Sequence, residues 1–463
     1  MNNFEAILKK DNQTIVALAT SHGRAGVAVI RISGSNVQPI ATQLLGHIPK
    51  KRVAEYLSFL AEDGSTIDQG LGLYFPAPNS FTGEDVLELQ GHGGPVVIDC
   101  LLKRVIQLGA RLARPGEFTE RAFLNSKIDL VQAEAISDLI DAESEQAARA
   151  AMRSLQGDFS QHITQMRDTL IDLRARLEAS IDFSEENIDF LKNTEITNKL
   201  HFILADIQKV KNLAKQGSLL REGISLAIVG PPNAGKSSLL NKLSAQESSI
   251  VTSFAGTTRD VIREKIQIEG LFLNVVDTAG LRITTDEIET EGIKRTLAEI
   301  AKADFILWVV DHTTTWIGDL KFWKEQQNFF ENIFIDKRII IIRNKIDLKQ
   351  EKASIDKEME FDVIKLSAKT GEGLTLLCNY LKKRIGFTTS SEGNFSARRR
   401  HLEALMNTEV ALSNGLLKLK ENHFPELLAE DLFIAQNYLG EITGQFTTND
   451  LLEKIFSSFC IGK

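Results

Sequence analysis

Beginning at Leu155, apolar residues recur at Phe159, Ile163, Met166, Leu170, Leu173, Leu177 and Ile181. These steps of three and four place them on one face of a helix. Arg167, Asp168, Asp172, Arg174, Arg176 and Glu178 fill the positions between, so the opposite face is charged. A second amphipathic segment lies near Leu200 to Leu220. Arg398 to Asn422 and Asp431 to Phe459 also read as helices, with Thr447 or Thr448 available as a cap. None of these stripes can be buried by its own helix alone, so the flanking helical segments are expected to pack into one bundle.

The pattern before and between these helices is different. Thr14–Leu18 and Val27–Ile32 are short β-branched runs, the second ending at Gly34, and both predict strands. Val86-Leu87-Glu88-Leu89-Gln90 alternates apolar and polar, then breaks at Gly91-His92-Gly93-Gly94-Pro95. An α+β domain is therefore expected up to about Asp129. Inside the helical material, Ile224–Val229, Leu271–Val276 and Ile339–Ile342 are apolar runs of strand length, which points to an inserted α/β module. The expected organisation is an α+β N-terminal domain over 1–127 and a discontinuous α-helical bundle over 128–220 and 386–463. Between its two halves sits the inserted α/β module over 221–385.

Length allows this, since 463 residues leave room for about three domains. The hydrophobic share of 43% and charged share of 25% are ordinary for globular chains. A net charge of −8 means that any nucleic-acid partner needs a local basic patch. Cys100, Cys378 and Cys460 are far apart and form no CxxC pair, which fits neither a disulfide framework nor a zinc site. The start MNNFEAILKKDNQTIVA has no apolar run before a cleavage site, and no stretch reaches membrane-spanning length. A cytoplasmic location without membrane association is expected.

Gly230-Pro231-Pro232-Asn233-Ala234-Gly235-Lys236-Ser237 matches GxxxxGK[ST] between a strand and a helix that continues through Ser238. Its glycines let backbone N–H groups wrap phosphates at a helix N-terminus. Lys236 should reach the β- and γ-phosphates, and the Ser237 hydroxyl should ligate Mg2+. Downstream come Thr257-Thr258, Asp277-Thr278-Ala279-Gly280, Asn344-Lys345-Ile346-Asp347 and Ser367-Ala368-Lys369. In that order they resemble the remaining elements of translation-factor-like GTPases, which implies that the inserted α/β domain over 221–385 is a P-loop GTPase domain of Ras-like type. Asp277 is placed to hold the magnesium shell, and Gly280 can present its N–H to the γ-phosphate. The Asp347 carboxylate can accept both N1–H and the 2-amino group of guanine, donors that adenine lacks, so the expected nucleotide is GTP.

Leu281 stands where Ras-type enzymes carry a water-orienting glutamine, so catalysis must draw on another group. Asn233 matches the asparagine of potassium-dependent GTPases, and 251–260 resembles the loop that completes the cation's shell. On that resemblance Asn233, Thr252, Phe254 and Thr257 would hold K+, and Thr258 would join Ser237 on Mg2+. The acidic cluster Asp286-Glu287-Ile288-Glu289 is the second candidate for activating the water, its alternative being a solvated charged helix start.

The whole chain from Asp11 onward resembles the MnmE (TrmE) family of tRNA modification GTPases. The most specific pieces lie outside the nucleotide module: Gly23-Arg24-Ala25-Gly26-Val27 with Arg31-Ile32-Ser33-Gly34, Pro78 to Asp85, Gly91-His92-Gly93-Gly94, Arg114 to Thr119 and Phe459 to Lys463. The resemblance implies an N-terminal domain that binds a reduced folate (5-formyltetrahydrofolate or methylenetetrahydrofolate) and forms a homodimer. Arg31, Glu88, Lys127 and Lys463 would be its folate contacts. It further implies hydrolysis-driven C5 modification of the tRNA wobble uridine, with Glu289 as general base. The flavin-dependent partner MnmG (GidA) would join a heterotetramer. Cys460 reads either as a buried helix-end thiol or as a functional thiol beside the folate site. It is not a prenylation box, because Gly462 is not aliphatic. Arg398-Arg399-Arg400-His401 reads as a solvated face or as a tRNA contact. A ribosome-assembly GTPase shares the nucleotide motifs and would lack the folate-like domain. A membrane-remodelling GTPase would need a basic amphipathic helix or lipid anchor, and the sequence contains neither.

Overall fold

The computed structural model describes residues 13–182, 193–245, 263–268, 271–277, 300, 302–313, 338–358, 361–387, 395–422, 425–445 and 449–462. The chain divides into two compact units. One comprises Met1–Asp141, Ala151–Lys209 and Glu403–Lys463, the other Ala142–Ala150 and Val210–Leu402.

In the first unit, strands β1 (Ile15–Leu18), β2 (Ala25–Ser33), β3 (Glu55–Leu60), β4 (Thr66–Phe75), β5 (Val86–Gly93) and β6 (Arg111–Leu112) form one sheet. Their spatial order is β3-β4-β5-β2-β1-β6. All neighbours are antiparallel except β1 and β6. Strand alternation decides the faces. Ile30, Ile32, Leu87 and Leu89 point into a core closed by helices Val37–Leu45 and Pro95–Gln107. The intervening Arg31 and Glu88 point the other way. There, Ile15 and Ala17 pack on Phe118, from helix Glu117–Leu124.

The helical part of this unit corrects one expectation and bears out another. The apolar stripe from Leu155 to Ile181 crosses a break at Gly157 (φ 97°), which separates helices Glu145–Gln156 and Asp158–Asp182. Leu155 is therefore on a different helix from Phe159 onward, and a single-face reading extends too far. Asp158–Asp182 does pack against Pro425–Thr443, from the far side of the inserted module. Arg174 donates to Gln436 Oε1 at 2.9 Å and lies 5.1 Å from the Phe433 ring centroid. Another glycine, Gly444 (φ 88°), ends the second helix. A Cβ there would sit 2.8 Å from the Phe123 ring, so the chain can turn and lay Asn449–Ser457 onto Phe123, Leu130 and Ala133. The proposed caps Thr447 and Thr448 lie outside the described residues.

In the second unit, β7 (Ile224–Val229), β8 (Arg263–Ile268), β9 (Leu271–Asp277), β10 (Phe305–Asp311), β11 (Ile339–Asn344), β12 (Ser354–Glu358) and β13 (Phe361–Lys365) form a seven-stranded sheet. Its order is β12-β13-β11-β10-β7-β9-β8. The five inner strands are parallel, and β8 and β12 close the edges antiparallel. Both faces are covered: Leu226 and Ile228 enter one core, Ala227 and Val229 the other. This explains why β7 reads as a continuous apolar run rather than an alternation. The sequence order departs to opposite sides of β7, so a crevice opens at the carboxyl ends of β7 and β10, where doubly wound sheets bind ligands.

Candidate functional site

The loop leaving β7 sits in that crevice. Gly230 (φ 152°) lies so close to β10 that a Cβ would be 2.1 Å from Val309 O, and Gly235 (φ 95°) would meet Asn344 Nδ2 at 2.2 Å. Neither position tolerates a side chain, which is the structural reason for both glycines. Asn233 is exposed in a left-handed conformation (φ 62°) and Ala234 is buried. Helix Lys236–Ser244 starts from Gly235 with no acidic residue in its first turn and no side-chain cap from the N-cap residue. Its positive dipole end thus faces the loop without a competing carboxylate from that turn. Lys236 Nζ donates to the carbonyls of Gly230 (2.9 Å) and Pro231 (3.0 Å), which pins the ammonium over the loop. Ser237 and Ser238 are exposed at the helix start.

Asn344 ends β11 opposite Asp311 of β10 and is 2% exposed. Its amide nitrogen donates to Ala234 O (2.8 Å), and its amide oxygen accepts from the N–H groups of Lys345 (2.8 Å) and Ala368 (2.9 Å). One buried side chain therefore ties the phosphate loop to the Asn344–Asp347 turn and to the Ser367–Lys369 loop. Lys345 is left-handed (φ 71°), and its ammonium pairs with Asp311 Oδ2 at 2.7 Å. Burial alone would raise the Asp311 carboxyl. The Lys345 ammonium and the Thr313 N–H and hydroxyl outweigh it and hold the pKa below the usual carboxylate value. The Ser367 hydroxyl donates to Asp347 Oδ1 at 2.6 Å, fixing the direction of that carboxylate. Lys369 is exposed beside it.

The described residues thus bring Asn233 through Ser238 together with Asn344, Lys345, Asp347, Ser367 and Ala368. The backbone of Asp277 ends β9 opposite Ile228. Its side chain lies outside the described residues, as do Thr252, Phe254, Thr257, Thr258, Thr278, Ala279, Gly280, Leu281 and Glu289. Sequence reasoning missed Asp311 and its strand. The signal was present, because the apolar run Phe305–Val310 ends in a single acid at the height of the other strand ends.

In the first unit, Arg31 and Glu88 are direct cross-strand partners, and Arg31 Nε donates to Glu88 Oε1 at 2.8 Å. The guanidinium carbon lies 5.6 Å from the centroid of Phe81 and 5.8 Å from that of Phe118. Lys127 is exposed and donates to Pro78 O at 3.0 Å, on the same Pro78–Phe81 loop. The flanking motifs converge here. Ser33 bonds Thr82 and Glu84 at 2.7 Å each, and Arg121 bonds Glu84 at 2.9 Å. Arg111 grips both oxygens of the buried Glu117, which also accepts the Arg114 N–H at 2.7 Å. Burial would raise that carboxyl, but these donors outweigh it and bring its pKa to about 2. Cys460 is exposed, so the buried alternative for this thiol does not hold, and its carbonyl accepts from Gly116 N–H at 3.4 Å. A Cβ on Gly462 would be 2.1 Å from Leu18 O, so the terminal segment lies directly against β1. Lys463 lies outside the described residues. Among the described residues, no helix is long and apolar enough to cross a membrane.

Two family models cover most of the chain. One described as "GTP-binding protein TrmE N-terminus" matches residues 14–127, and one described as "MnmE helical domain" matches residues 130–460. The curated protein "tRNA modification GTPase MnmE" of Haemophilus influenzae (strain PittEE) is 54% identical over 452 residues, which is 97% of this chain and 100% of that protein. Its counterpart in Yersinia pestis bv. Antiqua (strain Angola) is also 54% identical over 97% of this chain and 99% of its own length. Among solved structures, the G domain of the T. maritima FeoB iron transporter is 26% identical over 35% of this chain and 96% of its own, with a TM-score of 0.25 that carries no weight.

Proposed function

The chain belongs to the MnmE family of tRNA modification GTPases, and from that premise we propose that its GTP hydrolysis drives a potassium-dependent cycle required for C5 modification of the wobble uridine of certain tRNAs. The chain is a GTP hydrolase acting in tRNA modification. The observation that carries the nucleotide part of the reading is Asn344, whose side chain links the phosphate loop to both base-recognition loops.

In this reading Lys236 swings from the Gly230 and Pro231 carbonyls to the β- and γ-phosphates, and loop N–H groups with the helix N-terminus hold the remaining phosphate charge. Asp347, aimed by Ser367, accepts the two guanine donors. Ser237 at the helix start and Asp277 at the end of β9 offer hard oxygen donors that suit Mg2+, with Thr258 completing the set. Mg2+ held by these residues would supply positive charge against the phosphates. Asn233, exposed in the loop, suits K+ together with Thr252, Phe254 and Thr257. A cation held there would supply the positive charge that an arginine finger supplies elsewhere. Glu289 acts as general base on the attacking water, directly or through a second water, because Leu281 cannot orient it.

The Arg31–Glu88 pair, with Lys127 and Lys463, is the proposed folate site. A carboxylate can bond the pterin amino and ring N–H groups, while cations meet the glutamate tail. The one-carbon unit of methylenetetrahydrofolate and a flavin-dependent MnmG partner then serve the uridine chemistry, in the cytoplasm, with this chain as a homodimer inside a heterotetramer. Domain boundaries near 127, 220 and 385 accompany this reading. Titration of 5-formyltetrahydrofolate into the purified protein tests the folate half. Saturable binding that Glu88→Ala abolishes is expected, and no binding by the wild-type chain removes it.

A further inference from the structure

The net charge of −8 makes RNA contact depend on a local cationic surface. Lys50-Lys51-Arg52, which sequence reading did not single out, forms such a surface on the turn leading into β3. All three side chains are exposed. Among the described residues, neither lysine ammonium is in a hydrogen bond or salt bridge. Glu55, the nearest acid along the chain, is occupied by the Lys50 N–H (2.6 Å) and by His47 Nε2 (2.9 Å). Glu55 feels the Lys50 charge and Asp85 the Lys51 charge, but Asp85 already accepts from the Ala77 N–H and Gln38.

The turn is built rather than loose. Pro49 is buried, Val53 N–H bonds Lys50 O at 3.1 Å, and Arg52 N–H bonds Tyr74 O at 2.8 Å. Arg52 is left-handed (φ 59°), a conformation that glycine or asparagine would adopt more cheaply. Beside the cations stand exposed apolar groups, Ile48 (40%), Val53 (46%) and above all Tyr56 (70%). Cations that meet a phosphate backbone next to an aromatic ring that can stack a base are the usual elements of single-stranded RNA binding.

Position links this turn to the proposed folate site. Arg52 Nη2 donates to Asn79 O at 2.5 Å, and Lys127 Nζ donates to Pro78 O at 3.0 Å. The two cations therefore hold adjacent carbonyls, on residues whose α-carbons are about 3.8 Å apart. Two residues further on, Phe81 lies against Arg31. We propose that the Lys50–Arg52 turn and Tyr56 dock the phosphate backbone and an unpaired base of the RNA substrate, so that the neighbouring target base is delivered across the Pro78–Phe81 loop to the Arg31–Glu88–Lys127 site. This inference rests on the tRNA and folate readings above.

The test is Lys50→Glu/Lys51→Glu in the full-length protein, with fluorescence anisotropy of an unmodified anticodon stem-loop RNA across a salt series. Tyr56→Ala is measured in parallel. Affinity at low salt is expected to fall at least about tenfold for the double variant. The slope of log affinity against log salt should become shallower by about 1.4, at roughly 0.7 per phosphate contact. GTP turnover and 5-formyltetrahydrofolate binding are expected to stay at wild-type values, which shows that the unit still folds. Unchanged RNA affinity and slope overturn the proposal. If RNA affinity is unchanged while wobble modification in cells is lost, the turn meets an acidic protein surface and the RNA assignment is wrong. If the wild-type chain fails to bind folate while the salt-slope effect is present, the folate reading fails and the docking surface stands.

Discussion

Replacing Asn344 by alanine removes a side chain that joins the phosphate loop to the Asn344–Asp347 turn and the Ser367–Lys369 loop. Three hydrogen bonds disappear, to Ala234 O, Lys345 N and Ala368 N, at a position only 2% exposed. At about 1 kcal/mol net for each buried bond the loss is about 3 kcal/mol. In a domain of this size, thermal unfolding should move down by roughly 6–12 °C. The brace also pre-forms the site, so between half and all of that loss should appear as weakened nucleotide affinity, roughly 10- to 150-fold. Fluorescent GDP binding and thermal unfolding of Asn344→Ala measure the two effects separately. Lower stability with unchanged GDP affinity would refute the argument that the brace organises the site, leaving it a packing feature only.

Other outcomes follow from the same geometry. Asp347→Asn exchanges an acceptor for a donor opposite the base. GTP affinity should drop by at least about 100-fold, while xanthosine triphosphate, with a carbonyl in place of the 2-amino group, should bind better than GTP; retained GTP preference on nucleotide competition removes Asp347 from base recognition. Glu117 has a folded pKa of about 2 against an ordinary 4.5, so its stabilisation is complete above the ordinary value and is lost as pH falls toward 2. That is about 3 kcal/mol across the window, and urea unfolding of Glu117→Gln should lose this acid dependence; an unchanged pH slope contradicts the assignment. Exchanging K+ for Na+ at constant ionic strength should slow GTP turnover at least about tenfold, and Glu289→Ala should slow it in K+ as well. Turnover that is indifferent to both changes rejects the cation and base roles together.

What could be read from the chain, and what could not, divides by the range of the interaction. The phosphate loop was legible because its motif is contiguous and a strand and a helix flank it in sequence, although Val309 and Asn344, which exclude side chains at Gly230 and Gly235, are distant along the chain. The expectation that helices on both sides of the inserted module share one bundle followed from their unburied stripes. The break at Gly157 was hidden because the 3.6-residue period continues in phase across it, and only the left-handed backbone interrupts it. Asp311 escaped notice because its partner, Lys345, is set by the register of β10 on β11, which no local pattern reports. The Asn344 bonds are of the same kind, since Ala234 is 110 residues distant. The Lys50–Arg52 run was not singled out in the sequence, and only the fold places it beside Asn79 and Pro78.

The coupling of GTP hydrolysis to wobble-uridine chemistry is tested most directly by mass spectrometry of tRNA nucleosides from cells lacking this protein, complemented with the wild-type chain or with Lys236→Ala. The account predicts that C5-modified wobble uridines disappear without the protein, return with the wild-type chain and stay absent with Lys236→Ala. Full restoration by Lys236→Ala would contradict it.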